Sequence, residues 1–257
     1  MQRYFVPATQ MGHGSVTLEG DDARHAAAVM RSKPGDCFIA CDGEGRDVLA
    51  KILTVDKENV QAEIIEHLLT NAEMAWQVTV AQSLPKGDKL ETVIQKGTEA
   101  GAFAFQPFLS QRTVVQYDDR KEAKRIDRWR KIAKEAAEQS HRSVVPLIHA
   151  VVSWKANLAG FAEFDLVLFC YEEEGKTGGG LRDVLSSFRS DLSVTTRTPR
   201  VLIVVGPEGG FTAQEAEQAK ASGAMLIGLG RRILRTETAA LYALACLAYE
   251  SGELGGN

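Results

Sequence analysis

Two rhythms of apolar and polar positions divide the chain. Up to about residue 70 the apolar runs are short and closely punctuated by turn residues. Tyr4-Phe5-Val6 opens this part, and Cys37 to Ala40, Val48 to Val55 and Val60 to Ile65 read as strands. The turn signature Asp42-Gly43-Glu44-Gly45 follows the first of them. One helix is predicted between strands, capped by Asp21 or Asp22, with Ala26, Val29 and Met30 as its apolar face. The pattern predicts a small β-barrel or curled sheet carrying one helix. About 70 residues enclose a core only marginally.

Leu69 to Ala75 is the predicted boundary, and beyond it strands alternate with helices. Trp76–Ala81, Phe103–Leu109, Leu166–Tyr171, Val201–Val205 and Met225–Leu229 read as strands. Leu90, Val93, Ile94 and Gly97 lie at helical spacing. A long helix is predicted from about Asp119 to His141, with an inward stripe of Ile126, Trp129, Ile132, Ala133, Ala136 and Ala137. Shorter helices are predicted near Leu181–Phe188, Ala213–Ser222 and Thr238–Tyr249, and loops at Glu172–Gly180 and Ser190–Pro199. Such alternation implies a mostly parallel sheet covered on both faces.

Composition narrows the function. With 257 residues, 44% apolar and 25% charged, the chain is globular, and its formal net charge of -4 is not that of a general polyanion binder. A nucleic-acid site must therefore be a local patch. The four cysteines, Cys37, Cys41, Cys170 and Cys246, form no CxxC and no zinc spacing, so reduced thiols are expected. The N-terminus lacks the pattern of a secretory signal, and no apolar run approaches a membrane span. A cytoplasmic protein with no membrane and no metal is expected.

The chemistry concentrates at two strand ends. Val201–Val205 runs into Gly206-Pro207-Glu208-Gly209-Gly210-Phe211-Thr212. Met225–Leu229 runs into Gly230-Arg231-Arg232-Ile233-Leu234-Arg235-Thr236-Glu237-Thr238. Ligands of open α/β sheets bind outside the carboxyl ends of strands, and glycine there lets a flat heterocycle approach the main chain. Glycines also serve merely to turn a chain out of a strand. Two such loops, the second ending in Arg-Thr-Glu-Thr at a helix start, favour the ligand. Gly175-Lys176-Thr177 is no phosphate loop, because Cys170 holds the required earlier glycine position. No dinucleotide fingerprint, HExxH or GxSxG occurs.

Gly206 to Gly210, together with Leu229 to Ala239, resemble the cofactor-binding end of SPOUT-class RNA methyltransferases. The similarity is greatest to the branch that methylates N3 of a uridine in 16S ribosomal RNA. Gln95-Lys96-Gly97-Thr98-Glu99-Ala100-Gly101 resembles that branch's QKxTELG helix, with Ala100 where Leu is usual. Ser110-Gln111-Arg112-Thr113 resembles its SERS turn, with Gln111 where Glu is usual. Glu135 to Arg142 and Val145-Pro146 match its EAAEQSxR…VP segment. Arg3-Tyr4-Phe5, Ala23-Arg24-His25, Val29 to Arg31 and Gly35-Asp36 extend the likeness over nearly the whole chain.

The resemblance implies an α/β fold: a PUA-like RNA-binding β domain over 1–70, then a SPOUT methyltransferase domain over 74–250. It implies a trefoil knot at about 200–250, a homodimer, the cofactor S-adenosyl-L-methionine, and 16S rRNA of the small subunit as partner. The cofactor would lie on Val205, Gly206, Pro207, Glu208, Gly209, Gly210, Leu229, Gly230, Ile233, Leu234, Thr236 and Thr238. Arg235 and Glu237 are the catalytic candidates. Arg235 would stabilise charge on the uracil, while Glu237 or Glu208 would take a proton or hold the cofactor's amino group. RNA contacts are expected at Arg3, His25, Arg31, Arg112, Gln139 and Arg142. The basic run Arg120, Lys121, Lys124, Arg125, Arg128, Arg130, Lys131 and Lys134 would position phosphates, or is an ordinary solvated helix face. The alternatives are a SPOUT enzyme acting on another RNA such as tRNA, and a non-catalytic RNA-binding assembly protein.

Overall fold

The computed structural model describes residues 1–69, 72–115, 122–174, 180–192 and 197–255. Asp119, Arg120, Lys121 and the Gly175-Lys176-Thr177 motif lie outside the described residues. The chain forms two compact units. One is Met1–Glu73 with Lys134–Val145, and the other is Met74–Ala133 with Pro146–Asn257.

The first unit is a curled five-stranded sheet. Its strands are β1 (Arg3–Phe5), β2 (Ser15–Glu19), β3 (Cys37–Cys41), β4 (Asp47–Val55) and β5 (Asn59–Leu68), in the order β1-β3-β4-β5-β2. All neighbours are antiparallel except β1 and β3. The turn between β3 and β4 closes on Asp42, whose Oδ1 accepts the amides of Glu44 and Arg46 at 2.8 and 3.0 Å. Alternate residues face the core: Val16 and Leu18, Phe38 and Ala40, Val48, Ala50 and Ile52, Val60 and Ala62. The helix α1 (Gly20–Arg24) and the π-turn after it contribute Ala23 and Ala26 to that core. Val29 and Met30, predicted to face inward with Ala26, are 66% and 46% exposed. The π-turn adds a residue to the turn and carries them off the helical stripe.

The second unit is built on a parallel sheet. Its strands are β6 (Gln77–Ser83), β7 (Ala104–Leu109), β8 (Leu147–Ile148), β10 (Leu166–Cys170), β11 (Arg200–Val205) and β12 (Met225–Ile227), ordered β12-β10-β11-β6-β7-β8; β9 (Val152–Ser153) also pairs with β7. Its helices are α2 (Lys89–Glu99), α3 (Glu122–Gln139, whose last residues belong to the first unit), α4 (Trp154–Ala159), α5 (Leu181–Leu192), α6 (Ala213–Ala221) and α7 (Thr236–Glu250). Leu202 and Val204 pack against Ala216 and Ala219 of α6 on one face. On the other, Phe105 lies against Gly97 of α2, where a Cβ would come 2.8 Å from its ring and 3.5 Å from Leu244 of α7. The sheet is thus covered on both sides, as the alternation predicts. Among the described residues no helix is long and apolar enough to cross a membrane.

Candidate active site

The two glycine loops leave β11 and β12, the strands on either side of β10, and meet again at the start of α7. Gly206 follows β11, and Thr236 opens α7 after the loop from β12. Thr236 is buried; its hydroxyl donates to the Gly206 carbonyl at 2.6 Å and accepts from Gln82 Nε2 at 2.8 Å. Gln82, fully buried near the end of β6, also donates to the Ser83 and Gly206 carbonyls at 3.0 and 3.3 Å. The turn after β7 braces the first loop from the other side. Arg112 Nη1 donates to the Gly209 carbonyl at 2.7 Å. The Gln111 amide donates to Glu215 Oε1 at 2.8 Å, and Glu215 closes a capping box with Thr212 at the start of α6.

Between these loops lies a cavity of about 750 Å³, within the roughly 300–1,000 Å³ range of small-molecule sites. Glycine is required in its wall: a Cβ at Gly206 would come within 3.1 Å of the Phe211 ring, and Gly210 and Gly230 hold φ of 63° and 96°. The cavity gathers ten of the expected cofactor residues outright: Val205, Gly206, Pro207, Glu208, Gly209, Gly210, Leu229, Gly230, Ile233 and Leu234. Thr236 lines it with them, as does Arg235, which is exposed and N-caps α7. Glu237 and Thr238 do not line it. Glu237 Oε2 is buried with no hydrogen-bond partner among the described residues. Cys170 and Tyr171, at the end of β10, complete the floor, where burial pushes the Cys170 thiol up to about 12.

One carboxylate at the rim is held ionised. Partial burial alone would raise the Glu208 carboxyl, but the Lys89 ammonium at 2.5 Å and the Lys86 amide at 3.1 Å outweigh it. The group lies below the usual carboxylate range. The apolar walls, main-chain edges and carboxylates of this cavity fit S-adenosylmethionine, whose adenine is flat and whose sulfonium and amino group are cationic.

The residues expected to contact RNA separate. Arg31 and Gln139 are exposed, and His25 is half-buried with Nδ1 3.0 Å from the Tyr4 hydroxyl. Arg112 is exposed but committed to Gly209. Arg3 and Arg142 require correction. Arg3 is 2% exposed, paired with Asp47 at 2.7 Å, and donates to the Arg142 carbonyl at 3.0 Å. Arg142 is 2% exposed and paired with Glu73. A guanidinium closed inside a unit with its carboxylate is not presented to a phosphate. On α3, Arg128 pairs with Glu91, Arg130 with Asp127 and Lys134 with Asp22, so much of the basic run is locally neutralised. Sequence reasoning missed Gln82, Lys86, Lys89 and Glu215. Gln82 lies in an apolar strand, where a lone amide marks a buried polar anchor.

A parallel sheet whose carboxyl-end cavity is walled by two glycine loops defines an α/β protein that holds a nucleoside-like cofactor. The chain belongs to the ribosomal RNA small subunit methyltransferase E family. The RNA methyltransferase domain matches residues 72–248 and the RNA methyltransferase PUA domain matches residues 18–65. The Ribosomal RNA small subunit methyltransferase E of Bacillus subtilis is 42% identical over 260 residues, all of both chains. The crystal structure of the enzyme of that name from Neisseria gonorrhoeae, bound to S-adenosyl methionine, is 31% identical with a TM-score of 0.83 over 97% of each chain. A methyltransferase from Legionella pneumophila in complex with the same cofactor is 29% identical, TM-score 0.83, over 99% of this chain and 98% of that one.

Proposed function

We propose that this chain transfers a methyl group from S-adenosylmethionine to N3 of a uridine in 16S ribosomal RNA of the small subunit. The observation that carries the reading is the cavity walled by Gly206 and Thr236, which Gln82 ties together from behind, and lined also by Arg235. When bound, the cofactor supplies an electrophilic methyl group. The uracil N3 carries a proton and is a poor nucleophile, so the protein must favour the anion and hold N3 in line. Arg235 has no hydrogen bond or ion pair from its side chain among the described residues, and it is free to place its charge on the O2 or O4 of that anion. Glu208, already ionised and paired with Lys89, is a weak base and is assigned to the cationic end of the cofactor. Glu237 does not line the cavity; its place in the first turn of α7 favours a carboxylate at the positive helix end. The proton is assigned to solvent.

Residues 1–70 are read as the RNA-binding domain, with His25 and Arg31 in contact and Gln139 of α3 as a further contact, and 74–250 as the catalytic domain of a cytoplasmic enzyme. The return of the chain from β12, at one edge of the sheet, to Thr236 beside Gly206 supports a knot at about 200–250. The outer face of α7, with Tyr242 and Tyr249 43% and 70% exposed, supports a homodimer through that helix. The test is methyl transfer from labelled cofactor to small subunits lacking native modification, for the wild type and Arg235→Ala. Arg235→Ala should lower kcat by about 100-fold or more while the cofactor Kd stays within a few-fold. An Arg235→Ala enzyme with unchanged kcat would remove Arg235 from the chemistry.

A further inference from the structure

The end of the helix in the first unit combines three features that its own packing does not use. His25–Val29 forms a π-turn, with the Met30 amide donating to the His25 carbonyl at 3.0 Å; such turns are rare and concentrate at functional sites. Val29 and Met30 follow with their side chains outside the core that Ala26 fills. Arg31 then adopts φ 53°, at a helix end where the Ser32 amide bonds back to the Ala26 carbonyl at 3.0 Å. Glycine takes that position without strain, and arginine does not. Yet Arg31 is exposed, and its side chain has no hydrogen bond or ion pair among the described residues, so no such contact offsets the strain. Lys33 is likewise exposed and without a side-chain ion pair among them. The neighbouring acids are engaged: Asp21 with Arg24, Asp22 with Lys134, and Asp36 with the Lys33 amide at 2.8 Å.

We propose that Val29 and Met30 form an apolar wedge that enters between unstacked bases of structured RNA, while Arg31 and Lys33 take the phosphates beside it. This rests on the reading that the substrate is ribosomal RNA. Two uncommitted cations around apolar side chains match a partner that alternates phosphate charge with stackable bases. An acidic protein face would pair with the cations but offers no base stack for the apolar pair to enter.

The test uses the full chain with unmodified small subunits. Arg31→Gly relieves the left-handed strain, so its Tm should be unchanged or raised and its cofactor Kd unchanged. Its KM for subunits should rise about tenfold, and the slope of log affinity against log salt should fall by about 1. Val29→Ser with Met30→Ser should raise KM with the salt slope intact. A benzophenone side chain in place of Met30 should cross-link to rRNA. Variants with wild-type KM, or a cross-link to ribosomal protein alone, would overturn the wedge while leaving the methyltransferase reading in place. A wild type that labels no subunit would overturn that reading, and the cross-link would still decide the wedge.

Discussion

Gln82 and Thr236 meet over one carbonyl. The amide of the first donates to the hydroxyl of the second at 2.8 Å, and that hydroxyl donates to Gly206 at 2.6 Å. Through this pair a residue near the end of β6 holds the two glycine loops in one arrangement. All three groups are buried, so each lost bond takes a partner from a desolvated polar atom.

Thr236→Val keeps the shape and removes the hydroxyl. It should lower stability by about 1–3 kcal/mol and weaken cofactor binding, because Gly206 and Gln82 each lose a partner. Thermal melts and cofactor titration calorimetry check this. Thr236→Ser should recover most of the binding.

Glu208 sets a pH dependence. Its folded pKa lies below the ordinary 4.5, so the stabilisation it contributes is fully present above the unfolded value. That stabilisation is lost as pH falls through the folded pKa. The Tm gap between wild type and Glu208→Gln should therefore be open at neutral pH and close in acid below the usual carboxylate range. Lys89→Met should show the same gap, reduced by salt because both side chains are about a third exposed, 32% and 30%.

Arg3→Ala should leave Asp47 buried without its cation and destabilise the first unit by about 3–5 kcal/mol. Asp47 also accepts from the Ser143 hydroxyl at 2.7 Å, so residues 134–145 should loosen with it. Urea unfolding and hydrogen exchange of the two units would show this. An Arg3→Ala protein of wild-type stability with lost RNA binding would restore the surface role expected from the sequence.

Gly97→Ala tests the packing of α2. A methyl group there would lie 2.8 and 2.9 Å from two carbons of the buried Phe105 ring. A loss of about 1–3 kcal/mol is expected in a thermal or urea melt.

Much of this was legible in the sequence for physical reasons. Of the predicted stripe, Ile126, Trp129, Ala133, Ala136 and Ala137 are buried and Ile132 is half-buried, because helical spacing placed them on one face. Both glycine loops wall the cavity because they follow apolar strands. Three things were not legible. Arg3 and Arg142 looked like surface cations, since pairing with Asp47 and Glu73, 44 and 69 positions away, carries no local signal. β8 and β9, of two residues each, are too short to show a period. Gln82 reads as a break in an apolar run until Gly206 and Thr236 are placed beside it.

The identity of the methylated atom decides the function most directly. Small subunits lacking native modification, incubated with the wild-type chain and labelled S-adenosylmethionine, would be digested to nucleosides and separated by mass spectrometry. Label is expected in 3-methyluridine from 16S rRNA. Label in any other nucleoside, or in none while the cofactor binds, would contradict it.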